Sequence, residues 1–192
     1  PAAFAASGDV CMVDRYNAVN GTALDSLNCS ANDVSLVIYE VIEGPTSCIE
    51  GQTIDVKLKG KFTSTATTRW DVGVFISEDN SDPNMAGGTC YTDFLNPVSD
   101  DNSNVDLLSG SGPYYNGEIG SDPVDSCGDI QSGDPAYFIS DTISIQCQDS
   151  DGDLLADVNS CTVWANAASD GSENKPSCTD ELDVSADSSP KC

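Results

Sequence analysis

The chain has 192 residues, with 32 Asp and Glu against 7 Lys and Arg, nine cysteines and no histidine. A formal net charge of −25 repels nucleic acid and anionic lipid and excludes both as partners. The lack of imidazole excludes haem ligation through His, His-ligated zinc and any Ser-His or Cys-His nucleophile pair, which argues against an enzyme.

No stretch approaches the ~20 apolar residues of a membrane span, so no membrane insertion is expected. The opening Pro1-Ala2-Ala3-Phe4-Ala5-Ala6-Ser7 resembles the end of a secretory signal, because Ala3-Phe4-Ala5 fits the small-x-small cleavage rule. It reads equally as an apolar arm, with Phe4 as the residue that docks on a neighbour. Residues 1–30 are taken as an N-terminal arm. A short helix is expected within 14–28, limited by Asn17, Asn20 and Gly21. Asn20-Gly21-Thr22 and Asn28-Cys29-Ser30 fit the N-glycosylation sequon, a match that chance supplies readily in a chain rich in Asn, Ser and Thr.

From residue 33 the pattern becomes β. The apolar run 34–42 predicts a buried strand, broken at Gly44-Pro45-Thr46. Ile54, Val56, Leu58 and Phe62 alternate with Asp55, Lys57, Lys59 and Lys61, the clearest period-two segment. Trp70, Val72, Val74 and Ile76 form the next alternating set. Tyr137, Ile139, Ile143, Ile145 and Cys147 form another, and 162–165, with Trp164, the last. Long polar loops at 78–89, 99–104 and 110–134 separate them. No internal repeat is visible. The expected fold is an all-β, antiparallel, Ig-like β-sandwich over 31–168, with long disulfide-tied loops and extended terminal arms. Residues 169–192 are its Ser-, Asp- and Pro-rich, disulfide-tied tail.

The chain is long enough to bury a core without cross-links, so its cysteines exceed what size demands and indicate an oxidising compartment. Cys11, Cys29, Cys48, Cys90, Cys127, Cys147, Cys161, Cys178 and Cys192 show long, irregular gaps and no CxxC. That spacing suits a disulfide framework better than a metal or redox site. The odd count leaves at least one free or bonded to another chain. Cys11 and Cys192, nearest the ends, are the natural candidates. The pairing is not legible.

The most specific segment is Asp149-Ser150-Asp151-Gly152-Asp153-Leu154-Leu155-Ala156-Asp157, with carboxylates at loop positions 1, 3, 5 and 9. Calcium takes six to eight oxygens, and acids on alternate residues of a loop can turn inward onto one ion. The carbonyl of Leu155 and a side chain from Asn159 or Ser160 would complete the shell. The alternative is a solvated acidic turn. The loop lacks the EF-hand's Glu at position 12, and Leu154 stands where that motif carries Gly.

Lys57, Lys59 and Lys61, three of the seven basic residues, share one face of one strand. They would protect an exposed edge or receive an acidic surface of a neighbouring copy. Tyr114 and Tyr115 sit in a Gly/Pro loop and are candidates for stacking on glycan rings. Pairs of carboxylates, the basis of glycoside hydrolysis, carry no specificity among 32 acids.

The loop Asp149-Ser150-Asp151-Gly152-Asp153 resembles the calcium repeats of thrombospondin type 3. The stretches Cys29-Ser30-Ala31-Asn32-Asp33-Val34, Arg69-Trp70-Asp71-Val72-Gly73-Val74-Phe75-Ile76, Gly88-Thr89-Cys90, Ser126-Cys127-Gly128-Asp129-Ile130, Cys147-Gln148-Asp149, Asn159-Ser160-Cys161-Thr162-Val163-Trp164 and Pro190-Lys191-Cys192 resemble a repeat-associated domain of large secreted bacterial proteins, found beside DUF11-type repeats. That resemblance implies a secreted, Ig-like module without catalytic residues. The expectation is a calcium-stabilised structural subunit of a bacterial extracellular or surface assembly that self-associates, as in a filament built by strand or arm exchange. The alternative is a glycan-binding or adhesive surface module.

Overall fold

The computed structural model describes residues 9–27, 31–67, 69–95, 130, 132–133 and 136–165. Its strands are β1 Asp9–Val10, β2 Val34–Glu43, β3 Thr53–Ser64, β4 Trp70–Ser77, β5 Thr89–Phe94, β6 Ala136–Gln146 and β7 Ser160–Ala165, with one helix, α1 Met12–Asn20. They form two antiparallel sheets, β2-β3-β6 and β1-β5-β4-β7.

Alternation builds the first sheet. In β3, Val56, Leu58 and Phe62 are buried while the lysines between them take the opposite face, as a period of two requires. The register sets Val56 against Ile143 and Ile54 against Ile145, so β6 contributes its apolar residues to the same face. Gly60 leaves room for the Leu36 side chain of β2. A Cβ there would stand 2.6 Å from Leu36 Cδ1. The β3–β6 register slips between Lys57 and Lys59, and buried Ser140 fills the irregularity, its Oγ accepting from Leu58 N at 2.9 Å.

β2 does not match the buried strand expected of its apolar run. It lies at the sheet's edge, and Val37 and Ile42 are 59% and 40% exposed. The inward residues Leu36, Ile38 and Val41 are only partly buried against the core. One face of this antiparallel sheet is left uncovered by the described residues, so every second side chain of β2 faces solvent.

The second sheet is covered on both faces. Val72, Val74 and Ile76 of β4 face the core shared with Val56, Phe62, Ile143 and Trp164. Phe75 points the other way, into a second cluster with Cys11, Met12, Cys90 and Val163. Helix α1 supplies this outer cover. It stops at Gly21, which takes the left-handed conformation (φ 63°). Asn17 reinforces the stop, its Oδ1 accepting from Leu24 N at 2.9 Å.

The N-terminal arm is therefore part of the domain over residues 9–27. β1 pairs with β5, and Cys11 is disulfide-bonded to Cys90. Asp14 Oδ2 accepts from Gly87 N at 2.6 Å. Cys11 is thus not the unpaired cysteine that its place near the end suggested. Cys48 is bonded to Cys147, and the free cysteine among the described residues is Cys161. Cys29, Cys127, Cys178, Cys192, Phe4 and the 169–192 tail lie outside the described residues.

The two sheets are also joined by polar contacts. The buried Tyr91 of β5 donates to Asp93 Oδ2 at 2.6 Å and accepts from Asp141 N of β6 at 3.0 Å. Burial, then the Asp93 carboxylate, raise its pKa. Arg69 donates to Asp33 Oδ2 through Nη2 at 2.6 Å and Nε at 3.1 Å. No helix among the described residues is long and apolar enough to cross a membrane.

Candidate metal centre

The acidic loop follows β6 and is held at its base. Cys147, one residue beyond the strand, is bonded to Cys48, and Cys48 N donates to Leu154 O at 2.8 Å. Asp157 N donates to Gln148 O at 2.8 Å and closes the loop on itself. On the far side Asn159 Nδ2 donates to Asn80 O at 3.0 Å, joining the loop to the β4–β5 connection.

Within the loop the aspartates accept from the backbone. Asp149 takes Gly152 N at 2.8 Å and Leu154 N at 3.1 Å, one on each oxygen. Asp151 takes Asp153 N at 3.2 Å, and Asp153 takes Leu155 N at 2.7 Å. These bonds curl the chain and turn the three carboxylates together. One oxygen each from Asp149, Asp151 and Asp153 lies within 4.8 Å of the others. Oxygens sharing one calcium at about 2.4 Å are at most about 4.8 Å apart, so the spacing fits a single ion. Three like charges at such range repel by roughly 1 kcal/mol per pair even in bulk water. A divalent cation reverses that sign.

Asp157 is not in that cluster, and the other expected ligands make hydrogen bonds of their own. Asp157 Oδ2 accepts from Ser150 N at 2.7 Å and Ser150 Oγ at 2.5 Å. The Ser150 side chain and then its backbone hold the Asp157 carboxyl below its ordinary value. Asn159 acts through its amide on the 78–82 turn, and Ser160 opens β7. Leu155 enters through its N–H. Leu154 is left-handed (φ 66°), the conformation that glycine provides without strain.

Lys57, Lys59 and Lys61 lie on the central strand of their sheet, not on an edge, which overturns the edge-protection reading. Their cross-strand neighbours include Glu43 and Glu40 on β2, and Lys59 Nζ stands 5.9 Å from the Tyr137 ring centroid. Opposite-charge and cation–π neighbours of this kind stabilise a sheet face. Tyr114 and Tyr115 lie outside the described residues.

Two features were missed by sequence reasoning. Asp79 organises the β4–β5 turn: its oxygens accept from Ser81 N at 3.1 Å, Ser81 Oγ at 2.5 Å, Ser77 Oγ at 3.2 Å and Thr89 N at 3.0 Å. Burial pushes its pKa up, but these bonds outweigh it and the net shift is downward. The pattern Ser77-Glu78-Asp79-Asn80-Ser81 was its available signal, since Asp and Ser side chains accept from backbone two residues on. The second feature is an apolar cleft of about 290 Å³ beside β2. Its walls come from β2, the 45–48 turn, β3, β6 and the 155–158 stretch, so no local pattern announces it.

Comparison of the chain with known protein families, with characterised proteins and with solved structures gives no match.

Proposed function

We propose that this chain is a calcium-stabilised, non-enzymatic structural subunit of a bacterial extracellular or cell-surface assembly, a filament whose copies join by strand or arm exchange. The observation that carries the reading is the meeting of Asp149, Asp151 and Asp153 within 4.8 Å on a loop stapled at its base by Cys48–Cys147. Copies carrying a net charge of −25 repel one another, and bound divalent ions lower that barrier.

Other features support it. Two disulfides suit an oxidising compartment outside the cytoplasm. The strand orders β2-β3-β6 and β5-β4-β7 correspond to A-B-E and C′-C-F of an immunoglobulin-type sandwich, which supports an Ig-like fold. A chain without histidine has no ordinary general base poised near neutral pH.

The test is thermal unfolding in calcium and in EGTA, with titration calorimetry. An ion at about 100 times its Kd stabilises by about 2.7 kcal/mol, or roughly 5–10 °C for a domain of this size. Asp151→Asn with Asp153→Asn should abolish the difference. Equal melting in both buffers, with no heat of binding, removes calcium from the account.

A further inference from the structure

The cleft beside β2 is lined by Ile38, Val41, Ile54, Val56, Leu155 and Val158, with Glu40 among its few polar groups. β2 is an edge strand, so its outer backbone is open to a further strand among the described residues. Ile49 and Leu154, next in sequence to the lining residues Cys48 and Leu155, are 63% and 61% exposed. We propose that this cleft receives residues 1–7 of a second copy, added alongside β2 with Phe4 as the anchor; the inference rests on the assembly reading above.

Three observations select this occupant. The first is composition. Pro1-Ala2-Ala3-Phe4-Ala5-Ala6-Ser7 carries no charged side chain. Extended, it sets Ala2, Phe4 and Ala6 on one face. A cleft of about 290 Å³ is at the lower limit of ligand sites and suits one ring flanked by small groups.

The second is charge. The competing tail carries Asp170, Glu173, Asp180, Glu181, Asp183 and Asp187. Seating it would bring those acids against Glu40 and the aspartate loop.

The third is direction. β1 is antiparallel to β5, with Val10 opposite Thr89 and Asp9 opposite Cys90. Traced backwards from Val10 to Asp9, it points along β5 towards Phe94. The cleft opens at the other end of the sandwich, where Ser77 pairs with Cys90 and Thr53 with Gln146 and where Gln146 N meets Glu78 O at 2.8 Å. The described strand β1 therefore runs, traced towards the N-terminus, away from the cleft of its own copy. A donor segment on one copy and a receiving cleft on the next would make a head-to-tail contact, which propagates as an open filament when it does not close into a ring. Strand addition at an exposed edge is an established mode of recognition.

The experiment uses the full chain with Phe4 replaced by photo-reactive benzoylphenylalanine. Ordinary and ¹⁵N-labelled protein are mixed equally in calcium and irradiated, and the cross-linked peptides are mapped by mass spectrometry. The expected products join position 4 to residues 38–58 or 154–158, in mixed-isotope pairs. Cross-links confined to one copy, cross-links to other segments, or none at all overturn the inference. As a second measure, Pro45→Asp at the cleft rim should lower assembly affinity about tenfold or more with an unchanged circular dichroism spectrum, and an unchanged affinity counts against the site. Polymers with cross-links elsewhere refute this docking and leave the assembly reading standing. Sedimentation that shows only monomers at every concentration refutes both.

Discussion

The two sheets of this domain follow the same alternating rule and end in opposite situations. In β4 both faces are buried: Val72, Val74 and Ile76 on one side, Phe75 on the other. In β3 one face is core and the other carries Lys57, Lys59 and Lys61. The difference is made by residues 9–27, which add an edge strand to the four-stranded sheet and lay a disulfide and a helix over its outer face. A strand's outward residues report what covers them: Phe75 has a lid, and the lysines have solvent and the glutamates of β2.

The comparison breaks most readily at the covered face. Phe75→Ala should cost about 3–5 kcal/mol in urea unfolding, as a buried aromatic truncation does; a loss under about 1 kcal/mol would mean that α1 is not packed as described. Next, replacing Cys11 and Cys90 together by serine should cost about 2–5 kcal/mol. Amide exchange over residues 12–20 should rise well before the β3 amides respond. Acid acts on a smaller scale. The pKa of Asp79 is lowered below its ordinary 3.8 in the folded chain, so its contribution is complete above that value and fades as pH falls through the lower folded one. Melting temperature should therefore drop below about pH 4, with a shallower acid slope in Asp79→Asn, and equal slopes in the two proteins would disprove the assignment. At the solvent face Lys59→Ala should cost about 0.5–1 kcal/mol. A larger loss would show that the stripe is structural.

Much of the sandwich was legible in the sequence because burial writes a period of two. Val56, Leu58 and Phe62 announced β3, and Val72, Val74 and Ile76 announced β4. Position in the sheet was not legible. β2 reads as a buried strand by composition, yet it is an edge, because nothing local encodes how many neighbours a strand will have. The docking of α1 on Phe75 escaped for a related reason: Cys11 and Cys90 are 79 residues apart, and only the fold joins them. At the acidic loop the alternating aspartates were readable, and three of them do converge. The hydrogen bonds that Asp157 Oδ2 makes to Ser150 and Asn159 Nδ2 makes to residue 80 were not legible, since these residue types also suit a coordination shell.

The Cys48–Cys147 bond lies directly beneath the aspartate loop. A cross-link at the neck of a loop restricts the conformations open to it before any ion arrives, which is preorganisation. On the proposed calcium reading, oxidation of this pair would come before cation capture. A chain with Cys48 and Cys147 reduced would have to gather Asp149, Asp151 and Asp153 at the expense of whatever ion the loop is proposed to bind.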